Sequence, residues 1–521
     1  MQFPKLDKQS LTEGIVIPKM VKVRQSFPSH NLTDPIGRLK EQLQSLDKNT
    51  IENLAGKRIG ITAGSRGLPH YKELMKVLCD QLKAWKAQPF VFPAMGSHAG
   101  ATAEGQKAHL AQFGINEDYL GVPVLSTMDV VTVGTLDDGF PIYCDKNAYE
   151  ADGIILFNKI KPHTHFKYSH ESGLLKMICI GCGKHKGASA FHGRGYDSFG
   201  PNLERVAKAF LNKVNVVFSV AMVQSPSDDI AALEVIPTEK FFERDAALQT
   251  LAKEEMPRLK LPHIDVLIVD EIGKEISGTG MDPNITGRTE RFSQEEAFRS
   301  LAPEIERIVI LDITEASHGN GSGCGMADIV SYRFVNKMDF ASVYTNCITA
   351  KSFRMALLPL YGNSDKDAIE MAMAHSFLTE PNKAKVVRIK NTLKLEEIDA
   401  PRPAWKILKA VPIWPSYPIR LLGRLMTKTI YGSKKALPQS RVVAMLFCQY
   451  RIISLYDRSH PSRQRVPLSR SHRRGPVPKE RQSPQYIRPA AAAGPGEPVR
   501  QGSYPGRLHR ANTPIFSRLN L

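Results

Sequence analysis

The sequence predicts an α/β protein with two α/β domains and mostly parallel sheets. Three observations support this fold class. Short runs rich in β-branched residues alternate with helical patterns through residues 1–400, several of these runs end in glycine-containing loops, and a second series of them begins near residue 263. We therefore expect an N-terminal domain over residues 1–262 and a C-terminal domain over residues 263–400.

The predicted elements follow one another as strand, loop and helix. Strands are expected at 58–62, 89–93, 129–133, 140–143, 153–157, 214–223, 264–269, 307–311 and 385–389. Helices are expected at 68–87, 202–211, 244–259 and 366–378, together with one that Thr102 caps and Gly114 closes. Because ligands bind at the carboxyl ends of the strands in such sheets, the loops after strands are the expected location of a site.

The positive charge of the chain is concentrated in its last segment. The formal net charge is +18, but residues 401–521 hold 23 Lys and Arg residues against three acidic residues, which leaves 47 basic and 49 acidic residues in 1–400. The same segment holds 16 of the 35 prolines and has no core-facing pattern. We expect 401–521 to be a disordered Arg/Pro/Ser-rich tail, of the composition that a shifted reading frame or a fused segment would give. Nonspecific nucleic-acid binding by this tail is a less favoured interpretation, and nucleic acid is not an expected partner of the rest.

The cysteine pattern and the lack of long apolar runs favour a reducing intracellular compartment. Seven scattered cysteines do not form the pattern of a disulfide framework, so a reducing environment is expected. The first residues lack an apolar signal region, and no run of about 18 apolar residues occurs. A soluble cytoplasmic protein without a membrane segment is the expectation.

Residues 159–192, here called the histidine-rich segment, concentrate reactive side chains. This segment holds five of the fifteen histidines, at positions 163, 165, 170, 185 and 192, together with Lys176 and the Cys179/Cys182 pair. Imidazole, amine and thiolate groups perform proton transfer, covalent attachment and metal ligation. The sequence has no second CxxC, so a structural zinc site at the cysteine pair is not favoured.

Loops that follow predicted strands contain further candidate site residues. Arg66, His98 and His163 each follow a predicted strand, so they are expected to converge on one crevice. Lys176 lies within an apolar run, where desolvation would lower its pKa and make it a nucleophile, although a lysine that extends from a helix end to solvent is an equal alternative. A basic rim that attracts an anion is expected at the cationic positions 184, 186 and 194.

Two glycine-rich loops follow strands of the predicted second domain. The first, within 270–288, carries Lys274 and Arg288 near its ends, and its glycines could let backbone N–H groups approach a carboxylate or phosphate. It matches neither a P-loop nor a dinucleotide fingerprint. The second, within 312–328, carries His318 and Cys324.

Several of these motifs resemble, in order and approximate spacing, the nickel-dependent lactate racemase family. The shared elements are GSRG at 64–67, GSHAG at 96–100, KPHTHF at 161–166, ESGLLKMICIG at 171–181 and Phe191-His192. The resemblance covers roughly residues 10–400. It implies a two-domain α/β enzyme, an isomerase that holds a nickel-pincer nucleotide between its domains and depends on cofactor-biosynthesis enzymes as partners.

The resemblance also implies roles for individual residues. Lys176 would be the covalent attachment point of the cofactor, and His192 would be the nickel ligand. His98 and His163 would be a pair of acid/bases, while Arg66 and Lys274 would bind the substrate carboxylate or polarise its oxygen. The implied reaction is racemisation of a 2-hydroxy acid by transfer of a hydride to the cofactor, with the histidines moving the hydroxyl proton.

The sequence departs from the lactate enzyme at several positions. Ala63 replaces an acidic residue, the His163–Lys176 segment is about three residues longer, and His165 competes with His163 for its role. The two glycine-rich loops also differ, and a remodelled pocket with extra polar groups suggests a larger substrate, such as a sugar acid or another 2-hydroxy acid. Contacts of Glu171, Glu315 or His318 with the substrate stay open, as does a noncatalytic or redox-only relative that binds a nucleotide or anionic metabolite.

Overall fold

The computed structural model of the chain describes residues 2–7, 12–27, 29–378 and 380–401. The strands are β1 Met20–Arg24, β2 Arg58–Ala63, β3 Gln88–Pro93, β4 Val130–Thr135, β5 Pro141–Asp145, β6 Gly153–Ile160, β7 Val216–Gln224, β8 Ile230–Pro237, β9 His263–Ile272, β10 Glu304–Ile313, β11 Ile329–Val330, β12 Leu360–Tyr361, β13 Val386–Asn391 and β14 Lys394–Pro401. The prediction of a disordered tail over 401–521, with its alternatives, concerns residues that lie outside the described ranges except for Pro401.

Helices connect most of these strands. They are α1 Pro35–Gln44, α2 Lys48–Glu52, α3 Tyr71–Ala84, α4 Ala103–Gln112, α5 Glu117–Leu120, α6 Lys146–Tyr149, α7 Leu174–Lys176, α8 Lys184–Gly193, α9 Phe199–Leu211, α10 Phe241–Glu254, α11 Pro283–Thr286, α12 Glu295–Arg299, α13 Tyr332–Lys337, α14 Phe340–Thr349 and α15 Asp365–Ala374. A π-helical segment, Met177–Cys182, joins α7 to α8.

The first half of the chain forms a five-stranded sheet of order β3-β2-β6-β7-β8. All neighbours in it are parallel except β7 and β8, which form an antiparallel edge. Alternate residues of β3 face opposite cores, since Phe90 and Phe92 pack on one side and Val91 on the other. Strands β4 and β5 form a separate antiparallel pair. The carboxyl ends of β3, β2 and β6 therefore lie side by side.

The second half forms a seven-stranded sheet of order β1-β14-β13-β9-β10-β11-β12. Strands β13, β9, β10, β11 and β12 are parallel to one another, while β14 and β1 extend the sheet in antiparallel register. Because β1 pairs with β14, residues 20–24 belong to this sheet rather than to the first one. The predicted α/β class with mostly parallel sheets is confirmed, whereas the boundaries 1–262 and 263–400 stay predictions.

All nine predicted strands are present, and the differences lie at element ends and sheet edges. Helix α3 begins at Tyr71 rather than at residue 68, because His70 has a left-handed φ of 56° that cannot continue a helix. Thr102 caps α4 through a hydrogen bond from the Gly105 N–H, as predicted. The sequence interpretation missed β1, β8 and β14, which pair antiparallel with their neighbours, and β11 and β12, which are only two residues long. No helix in the described ranges is long and apolar enough to cross a membrane.

Candidate functional site

Three neighbouring strands of the first sheet deliver the candidate residues to one edge. Arg66 follows β2, His98 follows β3, and His163 follows β6, and these strands are adjacent in the sheet. Burial lowers the pKa values of His98 and His163, and the charge of Lys176 contributes to both decreases, with Arg66 contributing at His98. Arg66, His98, His163 and Lys176 therefore lie close together, as expected for loops at the carboxyl ends of parallel strands.

Cations that form no ion pair with a described residue lie near Lys176. Burial lowers the pKa of Lys176 to about 7, and the charges of Lys161 and Arg66 contribute to the decrease. Burial likewise lowers the pKa of Lys161, again with a contribution from Arg66, and it lowers the pKa of Lys159 to about 8. Lys176 forms neither a hydrogen bond nor an ion pair with any residue in the described ranges. A group of cations of this kind favours an anion and leaves a large fraction of one amine unprotonated at neutral pH.

A carboxylate at the start of α7 fixes the position of Lys176. The N–H of Leu174 donates to Oδ1 of Asp245 over 2.6 Å, and Asp245 on α10 is fully buried. The other oxygen of Asp245 lies 2.8 Å from Nδ1 of His170. A side-chain acceptor at a helix N-terminus satisfies an otherwise unpaired donor. His170 is therefore part of the support for α7.

His98 is held by hydrogen bonds to the backbone of its own loop. Its Nδ1 lies 2.6 Å from the carbonyl oxygen of Met95, and because a carbonyl only accepts, Nδ1 carries the proton. Nε2 makes no hydrogen bond to a described residue. Although the residue is exposed, the protein around the ring lowers the pKa of His98, and the nearby cations lower it further. His98 is thus a neutral imidazole with an available lone pair.

A buried lysine braces the loop that carries His98. Nζ of Lys184 donates to the carbonyl of Pro93 over 2.7 Å and to Oε1 of Gln106 over 2.5 Å, and it lies 3.5 Å from Oδ2 of Asp145. Nε2 of Gln106 in turn donates to the carbonyl of Gly96 over 2.9 Å, within the same loop as His98. The prediction of a basic rim is therefore wrong for Lys184, whose side chain is 0% exposed because distant polar groups satisfy its ammonium.

The other predicted rim residues lie at the surface. Lys186 is exposed, and Arg194 is held by Asp138, whose carboxylate lies 2.6 Å from Nη1.

His163 lies in a loop that is held by hydrogen bonds and ion pairs of Glu171. The buried carboxylate of Glu171 accepts from the His163 N–H over 2.7 Å, and its two oxygens lie 3.0 Å from Nζ of Lys167 and 2.7 Å from Nζ of Lys253. Its carboxylate is thus used to hold the loop in shape. Burial lowers the pKa of His163 well below its usual value, with Lys176 contributing.

His165 points to a carboxylate from the second half of the chain. Its Nδ1 lies 2.5 Å from Oε1 of Glu290, and the side chains are 10% and 1% exposed. The ring stacks on Tyr196 with centroids 4.6 Å apart and planes 12° apart. Burial alone would raise the pKa of Glu290, but the hydrogen bond and charge of His165 lower it overall. The guanidinium of Arg291 lies 4.8 Å from the centre of the Tyr196 ring.

His192 has a ring nitrogen that nothing in the described protein uses. It is the penultimate residue of α8, and its Nδ1 is buried without a hydrogen-bond partner among the described residues. Burial lowers the pKa of His192 to about 4, and Lys176 and His165 contribute. A neutral imidazole with an unpaired nitrogen is available as a metal ligand. His192 also lies beside Tyr196, with ring centroids 5.5 Å apart.

Lys274 belongs to the second half of the chain, in the loop after β9. Its Nζ donates to the carbonyl of Gly278 over 3.0 Å, and burial lowers its pKa, an effect that Cys347 and Glu290 partly oppose. Lys274 is therefore near the Glu290 carboxylate that contacts His165. No direct contact joins it to Arg66 or to Lys176 in the described structure.

The glycine-rich loops mainly pack against each other. A side chain at Gly280 would meet the carbonyl oxygen of Ser322 at 2.2 Å, and one at Gly323 would meet that of Thr279 at 1.8 Å. Both glycines have positive φ values. The expectation that these glycines admit an anion is therefore not supported, because the other loop fills the space beside them.

The positions of Arg288, Glu315 and His318 are explained by the fold and do not require a substrate. Nη1 of Arg288 lies 2.6 Å from Oδ2 of Asp328. Glu315 pairs with Lys337 at the surface, and His318 is exposed with a φ of 48°. Neither Glu315 nor His318 contacts a described candidate residue of the site.

Sequence reasoning missed Lys159, Lys161, Glu290, Arg291 and Tyr196. A signal existed for the two lysines, since residues two apart at the end of a strand face the same side. No local signal distinguishes Glu290, which is 125 positions from its partner His165.

Comparisons with known proteins agree with the motifs. Residues 33–199 match the family model of the lactate racemase N-terminal domain, which confirms the resemblance over this part of the chain. No curated protein matches the chain. Among solved structures, the lactate racemase apoprotein from Thermoanaerobacterium thermosaccharolyticum is similar, with 13% identity and a TM-score of 0.46, over 75% of this chain and 96% of that chain.

Proposed function

We propose that this chain, a relative of the lactate racemase family, inverts C2 of a 2-hydroxy acid, either a lactate-like acid or a sugar acid. The observation that supports this proposal most directly is Lys176. An amine with a pKa of about 7 and no partner in the described protein is suited to covalent attachment, and it lies near His98 and His163.

The residues fit a nickel-pincer nucleotide. Lys176 offers a largely unprotonated amine, and His192 offers a buried ring nitrogen without a partner among the described residues. Lys159, Lys161 and Arg66 offer positive charge for a nucleotide phosphate. In this proposal Lys176 attaches the group and His192 ligates nickel, and when bound the group supplies the hydride acceptor and donor.

The chain's own residues would perform binding and proton transfer. Arg66 from the first half and Lys274 from the second half would bind the substrate carboxylate or polarise its oxygen. His98, a neutral imidazole with a free Nε2, would take the hydroxyl proton on one face of the substrate. A second histidine would serve the opposite face, and the family pattern assigns that role to His163. The hydride would return to the opposite face of C2 while the second histidine gives a proton to the oxygen, which completes the inversion.

Cofactor loading is the first test. We expect the chain, coexpressed with cofactor-making enzymes, to gain a covalent adduct in its intact mass and to contain nickel. Lys176→Ala should lose the adduct, whereas Lys186→Ala, which changes an exposed lysine, should keep it. Chiral analysis after incubation with a panel of 2-hydroxy acids should then show inversion.

A noncatalytic binder or a redox-only relative is the second candidate. The cluster of cations around Lys176 is the observation that favours it, because such a cluster would attract a nucleotide or an anionic metabolite without any reaction at C2. A loaded protein that binds 2-hydroxy acids but inverts none of them would support this candidate and contradict the racemase.

A further inference from the structure

We infer that His165, oriented by Glu290, is the proton acceptor opposite His98, and that His163 serves the same site as a hydrogen-bond donor. This inference deepens the proposed function and rests on it for the identity of the reaction. The distribution of lone pairs and protons on the two rings, however, follows from the hydrogen bonds of the protein alone.

The hydrogen bonds of His163 place its lone pair on Nδ1. The backbone N–H of His165 donates to Nδ1 of His163 over 3.1 Å. A neutral imidazole has one lone pair and one N–H, so the proton of His163 must be on Nε2. Nε2 can therefore donate to a substrate oxygen. Nε2 could accept a proton only if Nδ1 carried an N–H instead. That N–H would then face the backbone N–H of His165, and the hydrogen bond between the two residues would be lost.

The hydrogen bonds of His165 give the opposite arrangement. An ionised carboxylate only accepts, so Nδ1 of His165 carries the proton that Oε1 of Glu290 accepts over 2.5 Å. The lone pair is then on Nε2, which makes no hydrogen bond to a described residue. A carboxylate that holds Nδ1–H fixes the tautomer and stabilises the imidazolium that forms when Nε2 takes a proton.

His98 has the same arrangement as His165. Its Nδ1–H donates to the carbonyl of Met95, and its Nε2 is likewise free of described partners. The site thus has two imidazoles that are prepared to accept a proton through Nε2, His98 and His165. The third imidazole, His163, is prepared to donate from that position. The pair of proton acceptors that inversion requires is therefore His98 with His165.

The surroundings of His165 hold this arrangement in place. The ring is stacked on Tyr196, and Glu290 also accepts from Oγ1 of Thr289 over 3.3 Å and lies 3.4 Å from Nε of Arg291. In a turnover the O–H bond of the substrate breaks and its proton passes to Nε2 of His165. The hydride from C2 passes to the bound group and returns to the opposite face, where the oxygen takes a proton from Nε2 of protonated His98. Reaction of the other enantiomer, or proton exchange with solvent, restores both histidines.

Ring ¹⁵N NMR on the full chain tests the tautomers without any cofactor. With ring-labelled histidine at a pH where both rings are neutral, and with signals assigned through His163→Gln and His165→Gln, we expect protonated Nε2 in His163 and protonated Nδ1 in His165. Glu290→Gln should remove the fixed tautomer of His165 and leave that of His163 unchanged. Protonated Nδ1 in His163, or protonated Nε2 in His165, would overturn the inference.

Activity of the loaded enzyme tests the roles. Glutamine can donate a hydrogen bond but cannot act as a base, so His163→Gln should lose about tenfold or less and His165→Gln about 10²- to 10⁴-fold. Glu290→Gln, which leaves His165 in place, should fall between them and serves as the second variant if His165→Gln unfolds. The opposite ranking would overturn the assignment. If the wild-type chain inverts no 2-hydroxy acid, the proposed function fails, while the ring spectra still decide the tautomers.

Discussion

The ammonium of Lys184 lies 2.5 Å from Oε1 of Gln106, and both side chains are fully buried. Through this contact the first residue of α8 is connected to the loop that carries His98, because the other end of the Gln106 amide donates to the carbonyls of Gly96 and His98. His192 lies in the last turn of helix α8. One buried hydrogen-bond network therefore joins two of the elements that build the candidate site.

Lys184→Met should destabilise the protein. The methionine would leave the carboxylate of Asp145 and the Oε1 of Gln106 buried without their cation, and removing one partner of a buried pair costs about 3–5 kcal/mol. Urea unfolding measures the loss. Lys186→Met, two residues further along the same helix and exposed, is the matched control and should change stability by less than about 0.5 kcal/mol. Equal stabilities for the two variants would mean that the network contributes nothing.

Glu171→Gln should loosen the loop that carries His163. The carboxylate of Glu171 neutralises Lys167 and Lys253 and accepts the His163 N–H, so an amide at this position would leave two partly buried cations without a counter-ion. We expect faster hydrogen exchange of the amides in 163–171 and a lower melting temperature. Glu239→Gln, at an exposed position, provides the comparison. Unchanged exchange in this loop would contradict a positioning role for Glu171.

The convergence of the site was predictable from topology. Parallel strands present their carboxyl ends at one edge, so three loops distant in sequence meet there once the strands are recognised. Arg66, His98 and His163 follow β2, β3 and β6, whose alternation of apolar runs and glycines is visible in the sequence. The strands that were missed lie at a sheet edge or next to one, where a mixed apolar and polar pattern or a length of two residues gives a weaker signal.

The surroundings of each side chain were not predictable in the same way. Lys184 looks like a surface cation because the residues that satisfy it, Gln106 and Asp145, come from other elements of the fold. The sequence gives no reason to prefer His165 over His163, because its partner Glu290 lies far away in the chain. Burial of a charged group depends on partners that only the folded chain brings together, so a local pattern carries no information about it.

The CxxC pair should behave as core rather than as a reactive or metal-binding site. All six cysteines in the described ranges are buried and unpaired, and burial raises the pKa of both Cys179 and Cys182. A buried thiol is a poor nucleophile because its thiolate is disfavoured. In a Cys448→Ser variant, which removes the cysteine outside the described ranges, we expect Ellman's reagent to react only after denaturation. Rapid labelling of Cys179 or Cys182 in the native protein would contradict this expectation.

Lys176 should make the stability of the cofactor-free protein depend on pH. Its pKa is lowered from 10.5 to about 7 in the folded state, so between these values the unfolded chain binds a proton that the folded chain does not. Folding is therefore penalised fully below about pH 7, and the penalty decreases as the pH rises towards 10.5. Lys176→Met removes the penalty and should be more stable than wild type by on the order of a few kcal/mol at pH 7.

The difference in the free energy of unfolding between Lys176→Met and wild type should narrow with rising pH, at a slope of at most about 1.4 kcal/mol per pH unit. Urea unfolding at pH 7, 8 and 9 measures it. Lys186→Met removes a lysine at an exposed position in α8, so its difference from wild type should stay small throughout that range. A constant difference for Lys176→Met, or one that widens with pH, would show that the Lys176 amine is charged in the folded protein and is not poised for covalent attachment at neutral pH.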